Sequence, residues 1–288
     1  MKKTLIIASM ALLAGCQQVN TTQSGAVGAN RTQKMSTLLS SDQVDQMAAA
    51  SYNETLSKAR QKNVLLAAND PMTIRVKKIA NRLIPQTGIF RPEAANWEWE
   101  VNVEKSPELN AYCMAGGKIM FYSGIIEKLK LTDDEIAQIM GHEISHALRE
   151  HSRERMSEQY TKQLSIQGIS IAASILGGGK YADLTNTALS VGSTAYDLTL
   201  ALPNSRTHES EADMMGLELA ARAGYNPRAS VTLWQKMAAA SKGSSPEFLS
   251  THPSSQTRIA ELEAKIPVVQ PLYEAANKSA ATPAKKKK

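Results

Sequence analysis

The sequence predicts an α+β fold that is mainly helical and contains one small sheet. Helix-start signals recur along the chain, at residues 41, 70 and 132 among others. Trp97 to Val103 alternates apolar and polar residues, which is typical of a half-buried strand. The chain of 288 residues is 42% hydrophobic, enough to build the core of one large domain.

The first 15 residues resemble a secretory signal peptide. Two lysines precede the apolar run Leu5 to Leu13, which is far shorter than the roughly 20 residues of a membrane-spanning helix. Leu13-Ala14-Gly15-Cys16 resembles the bacterial lipobox, in which the cysteine is lipidated and becomes the first mature residue. Gln17 in place of Asp resembles lipoproteins sent to the outer membrane. The alternative is an ordinary cleaved signal with an incidental cysteine.

Residues 16 to 40 predict a lipid-anchored flexible tether, because Gln, Thr, Ser, Gly and Asn dominate there without apolar periodicity. We then expect a single catalytic domain over residues 41 to 270. A disordered, lysine-rich tail is expected over residues 271 to 288. The lysines at the chain end could touch anionic lipid headgroups, or simply be solvated.

The domain is expected to begin with helices over residues 41 to 62 and 71 to 83. Two short strands are expected at Asn110 to Met114 and Lys118 to Tyr122, around Gly116-Gly117, followed by a helix at 125 to 129. Thr132 and Glu135 form a capping box, which starts a helix that continues past residue 146.

The later part of the chain predicts further helices. A helical pattern covers residues 156 to 200 and is interrupted by Gly177-Gly178-Gly179, which lacks the spacing of a phosphate loop. Within it, Ile169 to Leu176 indicates a buried helix or a lid helix. Helices are also expected over residues 203 to 222, 227 to 240 and 254 to 265.

The formal charge of +6 comes mainly from lysines at the two ends, so the folded body is near neutral and nucleic-acid binding is not expected. The chain has two cysteines. If Cys16 carries lipid, Cys113 has no disulfide partner within the chain, and we expect it to pack in the core.

The pentapeptide His142-Glu143-Ile144-Ser145-His146 predicts a metal site. On a helix it places two imidazoles one turn apart with a carboxylate beside them, which is how proteins bind zinc and activate water. A catalytic zinc needs a third protein ligand. The metzincin extension fails, because Arg149 and Ser152 stand where it needs Gly and His. On a continued helix His151 is rotated by about 140° from the ligand face, so we expect it to be solvated.

A downstream segment supplies the third ligand by resemblance. Glu209-Ser210-Glu211-Ala212-Asp213, preceded by Ser205-Arg206, matches the SRxxExxAD pattern that follows HExxH in the gluzincin family of zinc metallopeptidases, which includes HtpX, BepA, LoiP and the CaaX prenyl proteases. The resemblance implies a zincin-like fold and makes Glu209 the third zinc ligand. Glu211 is rotated by about 200° from Glu209 and cannot share the metal on a regular helix. Asp213 is expected to accept a hydrogen bond from a ligand histidine; an ordinary surface carboxylate is the alternative.

The resemblance extends to two further features and is strongest toward the soluble periplasmic lipoprotein branch, nearest LoiP. Asn110 and Ala111 resemble the edge strand that binds extended substrate by backbone pairing. His252, in the segment Thr251-His252-Pro253, lies near the metal in some members of the family. It is expected either to stabilise the oxyanion or to plug the zinc reversibly, and an incidental histidine in a capping segment remains open.

The sequence therefore predicts a metalloendopeptidase with one Zn²⁺ per chain, bound by His142, His146 and Glu209. Glu143 is expected to act as general base and then to protonate the leaving amine. The expected substrates are unfolded or misfolded proteins of the periplasm, in outer-membrane protein quality control. The alternative is a non-hydrolytic lipoprotein, a chaperone or assembly factor, whose zinc is structural.

Overall fold

The computed structural model describes residues 16–159, 161–162, 205–240, 247–252 and 256–281. The expected signal peptide lies outside the described residues. So do the helix expected at Ile169 to Leu176, the triple glycine and the terminal lysines.

Helices make up most of the described chain, which confirms the mainly helical fold. They are α1 (Ser41–Gln61), α2 (Pro71–Leu83), α3 (Ser123–Lys128), α4 (Asp133–Leu148), α5 (which begins at residue 151), α6 (Arg206–Arg222), α7 (Ala229–Ala240), α8 (Glu247–Thr251) and α9 (Gln256–Ala281). Two 3₁₀ helices, Ile84–Ile89 and Pro92–Asn96, follow α2. None of the helices in these ranges combines the length and the apolar character needed to cross a membrane.

Three strands form the sheet that was expected beside the HExxH helix. Strands β1 (Cys16–Val19) and β2 (Gln33–Ser36) pair separately, whereas β3 (Glu100–Glu104), β4 (Ala111–Met114) and β5 (Lys118–Tyr122) form one sheet in the order β3-β5-β4. Strand β5 is parallel to β3 and antiparallel to β4. The turn between β4 and β5 uses Gly116 and Gly117 at φ 71° and 84°, which favours glycine. Because β5 lies between β3 and β4, strand β4 is an edge of this sheet.

The register of β4 decides which of its backbone groups face the free edge. Tyr122 N–H donates to Asn110 C=O at 3.1 Å. Ala111 and Cys113 are opposite Phe121 and Ile119 in the antiparallel register. Hydrogen-bonded and non-hydrogen-bonded pairs alternate along such a ladder, so the backbone groups of Ala111 and Cys113 point away from β5. They face the side of β4 that pairs with no other strand of this sheet.

Helix α4 lies at the centre of the domain and begins at the expected capping box. The Thr132 side chain accepts from Glu135 N–H, and the Glu135 carboxylate accepts from Thr132 N–H. From Glu135 to Leu148 every residue of α4 is buried, which is typical of a helix enclosed on all sides. A local cap therefore fixes the register of the HExxH residues within the core.

Helices α4 and α6 approach each other closely at a pair of glycines. A Cβ atom on Gly216 would lie 2.6 Å from His142 N, and one on Gly141 would lie 2.7 Å from Gly216 C=O. No side chain can be inserted at either position without moving a helix backbone. The two glycines thus bring the helix that carries HExxH against the helix that carries ExxAD.

The N-terminal segment, residues 17 to 40, corrects the expected flexible tether. Val27, Ala29 and Met35 are buried, and Val27 and Ala29 join the main hydrophobic core. Val27 N–H donates to Glu218 and Gln33 Nε2 donates to Arg149 C=O. The polar composition that suggested a tether instead supplies hydrogen bonds to the domain, so this segment is part of the folded unit.

The C-terminal helix α9 corrects the expected end of the domain, since it continues to Ala281 and replaces the first part of the predicted tail. Pro267 and Pro271 are four residues apart on the exposed face, where water can satisfy the carbonyls they leave unbonded. Val269 on the opposite face is fully buried. Burial of that face favours the helix despite the two prolines.

The glycine contact between α4 and α6 predicts that Gly216→Ala destabilises the fold. In a helix interior, alanine is more stable than glycine by about 1 kcal/mol. At Gly216, however, the added methyl group meets backbone atoms, and overpacking costs about 1 to 3 kcal/mol. We expect a lower urea midpoint for Gly216→Ala than for the wild type. Gly88→Ala is the control, because a Cβ there has no atom within 4 Å and the φ is not positive. A Gly216→Ala midpoint equal to that of the wild type would contradict the close contact.

Candidate metal centre

His142 and His146 lie on one face of α4 and point toward the same place. Their Nε2 atoms are 3.1 Å apart, and their ring planes cross at 79°. Both side chains are buried. The spacing of four residues on a capped helix therefore gives the convergence that the pentapeptide predicts.

Glu209 reaches these histidines from α6. The helix is capped by Ser205, whose side chain accepts from His208 N–H, so Glu209 lies in the first turn. Its Oε1 is 3.4 Å from His146 Nε2, and its Oε2 is 3.5 Å from His142 Nε2. The structure brings together the three residues that the sequence predicts as ligands.

His252, which follows the short helix α8, reaches the same point. Its Nδ1 is 3.3 Å from His142 Nε2 and 2.9 Å from Glu209 Oε1. Phe248 stacks on the His252 ring, with centroids 4.6 Å apart. The four side chains together form a buried group that could hold a metal ion.

The spacing of these four donors fits zinc. Nitrogen and oxygen ligands at about 2.05 Å in a tetrahedron lie about 3.3 Å from one another. The four separations given above that join His142 Nε2, His146 Nε2, His252 Nδ1 and Glu209 Oε1 range from 2.9 to 3.4 Å. Three imidazoles and a carboxylate are also a donor set that zinc accepts. The residues present therefore fit one Zn²⁺.

Asp213 and Arg258 support the donors from behind. Asp213 Oδ1 lies 3.0 Å from His142 Nδ1, the nitrogen that faces away from the other donors. Arg258 forms two hydrogen bonds with Asp213 and a third contact, at 2.7 Å, with Glu209 Oε2. An acceptor at Nδ1 fixes the His142 tautomer that leaves Nε2 for a metal. The guanidinium compensates two buried carboxylates.

Glu143 lies beside the donor group and against the edge strand. Its Oε1 is 3.5 Å from His252 Nε2, and the carboxyl lies near the backbone of Cys113 in β4. Burial raises the pKa of Glu143, against the opposing effect of His252 and His142. A carboxylate with a raised pKa beside a metal site is suited to accept a proton and return it.

Burial and contacts among the donor side chains shift their pKa values in different directions. Burial lowers the pKa of His146 well below its usual value. Burial also opposes the proton on His142, but hydrogen bonds with Asp213 and Glu209 outweigh it and raise the pKa to about 9. Burial would raise the pKa of Glu209, yet His252 and the hydrogen bonds of the other two histidines hold it well below its usual range. The contacts with the histidines thus keep the buried Glu209 carboxylate charged.

His151 corrects an expectation. It is fully buried instead of solvated, and its Nδ1 lies 2.8 Å from His146 Nδ1. Helix α4 ends at Leu148, and Glu150 has a φ of 52° in the left-handed region. This break turns the chain before α5 begins, so the rotation expected for a continued helix does not apply.

Glu211 faces away from the donors, as the helical rotation predicts. Its carboxylate contacts Arg149 and Arg31 at 2.8 Å each, and it contacts His151 at 3.1 Å. A neighbouring group, His151 with Glu154 and His208, also lies close enough together to bind an ion.

Arg258 is a residue that sequence reasoning missed, although a signal existed. It lies one turn before Leu262 and two turns before Ile266, both buried, so helical periodicity places a cation on the apolar face of α9. A buried arginine needs carboxylate partners. The burial of His151 carried no such signal. It depends on the left-handed backbone of Glu150, and glutamate is not a residue type that indicates this conformation in a sequence.

The predicted substrate-binding residues lie at the start of β4. Asn110 C=O already accepts from Tyr122, while its side-chain Oδ1 accepts from Ala111 N–H. The Asn110 side chain therefore occupies the position that a partner strand would take beside Ala111. Cys113 is a buried free thiol, as expected, and burial raises its pKa well above the usual value.

Residues 72–266 match the sequence model of peptidase family M48. This range includes the pentapeptide, the ExxAD segment, His252 and Arg258. It covers well over half of the chain.

Relatives of this chain are named as metalloendopeptidases or as proteases. The mitochondrial metalloendopeptidase OMA1 of Schizosaccharomyces pombe is 33% identical over 78% of this chain and 61% of its own length. OMA1 of Arabidopsis thaliana is 38% identical over 56% of this chain and 30% of its own. The beta-barrel assembly-enhancing protease of Escherichia coli is 27% identical over 57% of this chain and 34% of its own. The chain thus spans less than two thirds of each of these relatives.

Proposed function

We infer that this chain, which belongs to peptidase family M48, is a zinc-dependent metalloendopeptidase. The observation that carries the inference is the buried group of four donors with Glu143 beside it. His142, His146 and Glu209 would hold the ion. The relatives named as metalloendopeptidases support the same reaction.

A zinc ion held by His142, His146 and Glu209 would supply an electrophile for the scissile carbonyl and would lower the pKa of water toward about 7. Glu143 accepts the proton of the attacking water and delivers it to the leaving amide nitrogen. Its raised pKa makes it able both to take and to return that proton. Asp213 keeps His142 in the required tautomer throughout.

The free edge of β4 is suited to bind an extended peptide. The backbone groups of Ala111 and Cys113 face that edge, and Cys113 lies next to Glu143. A peptide that pairs there by its backbone lies beside the general base and displaces the Asn110 side chain from Ala111 N–H. Such pairing demands an extended chain and little particular sequence, which supports unfolded protein as the substrate.

His252 gives this site a fourth donor where catalysis needs an open position. Its Nδ1 lies at one corner of the donor group, a position suited to a reversible ligand. In that role it must withdraw before substrate can approach. The alternative role, stabilisation of the oxyanion, requires His252 to stay beside Glu143 during turnover.

Location at a membrane is a further part of the proposal. We propose that Cys16 is lipidated and that the chain acts at the outer membrane, on unfolded or misfolded periplasmic proteins. The lipobox-like Leu13-Ala14-Gly15-Cys16 supports the anchor. A relative named for enhancing β-barrel assembly is consistent with outer-membrane protein quality control.

A non-hydrolytic role is the second candidate, and one observation favours it. With His252 included, the donor group is closed, as structural zinc sites are. In that case the protein would be a chaperone or assembly factor stabilised by zinc. Structural sites are usually rich in cysteine, however, and they do not need the carboxylate of Glu143.

Glu143→Gln is expected to retain zinc and to abolish cleavage of an unfolded substrate such as casein, because the amide cannot accept a proton. The measurement pairs bound zinc by atomic absorption with the rate of cleavage. Glu135→Gln is the matched control on the same helix, since glutamine also serves in a capping box. Chelation of the wild type should stop cleavage while the circular dichroism spectrum stays folded. If chelation unfolds the chain and no cleavage is ever observed, the structural role is correct.

His252→Ala distinguishes the two roles of that histidine. If His252 is a reversible ligand and the open form is populated at 10% or less, its removal should raise the cleavage rate by about 10-fold or more. Thr251→Ala is the control, since it changes the neighbouring residue but no donor. A loss of cleavage in His252→Ala with zinc still bound would instead support the oxyanion role.

Cys16→Ala is expected to remove the lipid and to release the chain from the membrane. Mass spectrometry of the wild type should show an acylated cysteine at the mature N-terminus, and the variant should move to the soluble fraction. Cys113→Ala is the matched control because this cysteine is buried. An unmodified Cys16 in the mature wild type would contradict the proposed lipid anchor.

A further inference from the structure

His151 links a predicted zinc ligand to a charged network. On one side, its Nδ1 is 2.8 Å from His146 Nδ1. On the other, its Nε2 is 3.1 Å from Glu211 Oε2. The ring is fully buried and stacks on His208, with centroids 4.3 Å apart and planes 15° apart. Its position is thus fixed at both nitrogens and on one face.

The protons in this arrangement can be assigned from the donors and acceptors. If His146 Nε2 binds zinc, its Nδ1 carries the hydrogen and must donate it. His151 Nδ1 then accepts, so the hydrogen of a neutral His151 is on Nε2. That nitrogen donates to Glu211, which is an acceptor when charged. With a neutral His151, both hydrogen bonds are satisfied when His146 leaves Nε2 for the metal.

The far end of this chain is held by two arginines. Arg149 Nη2 and Arg31 Nη2 each lie 2.8 Å from the Glu211 carboxylate. Arg149 also donates to Asn20 and Thr22 of the N-terminal segment, and Arg31 belongs to that segment itself. The two guanidinium groups thereby hold the acceptor for His151 in place.

We propose that His151 is a positioning residue that orients His146 for the metal, an inference that rests on the zinc site proposed above. It does for His146 what Asp213 does for His142. The contacts of His142 lead through Asp213 to Arg258 of α9. The contacts of His146 lead through His151 and Glu211 to Arg149, and to Arg31 of the N-terminal segment.

A second metal ion at His151, Glu154 and His208 is the competing explanation of the same cluster. Arg31 forms two hydrogen bonds with Glu154, at 2.7 and 2.8 Å, and Gln33 donates to the same carboxylate. These contacts hold the pKa of Glu154 far below its usual range. Arg31 already balances the charge of the Glu154 carboxylate. We therefore assign the cluster a supporting role for the neighbouring donor group and not a metal of its own.

The test is the zinc affinity of His151 variants, measured by competition with a chromogenic chelator. His151→Leu removes the acceptor for His146, and loss of such a partner weakens metal affinity by about 10- to 100-fold. His151→Gln offers an amide oxygen to His146 and an amide N–H to Glu211, so it should recover most of the affinity. His208→Phe is the matched control, because it keeps a ring that stacks on His151. It should change the affinity by less than about 3-fold, since the His208 Nε2 contacts Glu154 and no zinc donor.

NMR of the zinc-loaded wild type gives a second readout that does not depend on a variant folding. Nitrogen-15 spectra should show His146 with its hydrogen on Nδ1, and a scalar coupling across the hydrogen bond to His151 Nδ1. Wild-type affinity in a folded His151→Leu, or the other tautomer of His146, overturns the proposal. If the wild type binds no zinc at all, the proposed function fails first. If it binds one zinc and His151→Leu matches it, only the role of His151 fails.

Discussion

The burial of charge between α4 and α6 is the constraint on which the rest of the structure depends. Glu143, Glu209, Glu211 and Asp213 are all buried, and each lies within 3.5 Å of at least one histidine. An unpaired buried carboxylate costs several kcal/mol, so each must have a cation or a hydrogen-bond donor. Arg258 forms ion pairs with Glu209 and Asp213, whereas Arg149 and Arg31 form ion pairs with Glu211. The fold is built to bring these arginines to the donors.

This requirement explains why the two ends of the described chain join the domain. Arg31 lies in the N-terminal segment and Arg258 lies in α9, so each end supplies a cation to a different side of the donor group. Lys265 of α9 also donates to Val27 C=O, which connects the ends directly. Segments that look dispensable by composition are therefore part of the electrostatic support of the site.

The sequence predicted what local interactions determine and missed what distant ones determine. Thr132 and Glu135 fix the start of α4, so the convergence of His142 and His146 could be predicted from spacing alone. The polar N-terminal segment carries few apolar residues, and its order depends on partners more than 100 residues away, such as Arg149. The left-handed Glu150 and the two exposed prolines of α9 also depend on tertiary packing, so His151 and the end of the last helix could not be placed.

The four donors are not held equally, and this difference favours a catalytic site over a closed structural one. His142, His146 and Glu209 lie on α4 and α6, which pack on each other through Gly141 and Gly216. His252 follows a helix of five residues. Short elements open at lower free energy than core helices. The same short helix is hydrogen-bonded to Leu109, next to β4, through Phe248 N–H. Withdrawal of His252 would thus loosen the backbone beside the edge at which a peptide is proposed to pair, so that opening of the metal site and entry of substrate involve one segment.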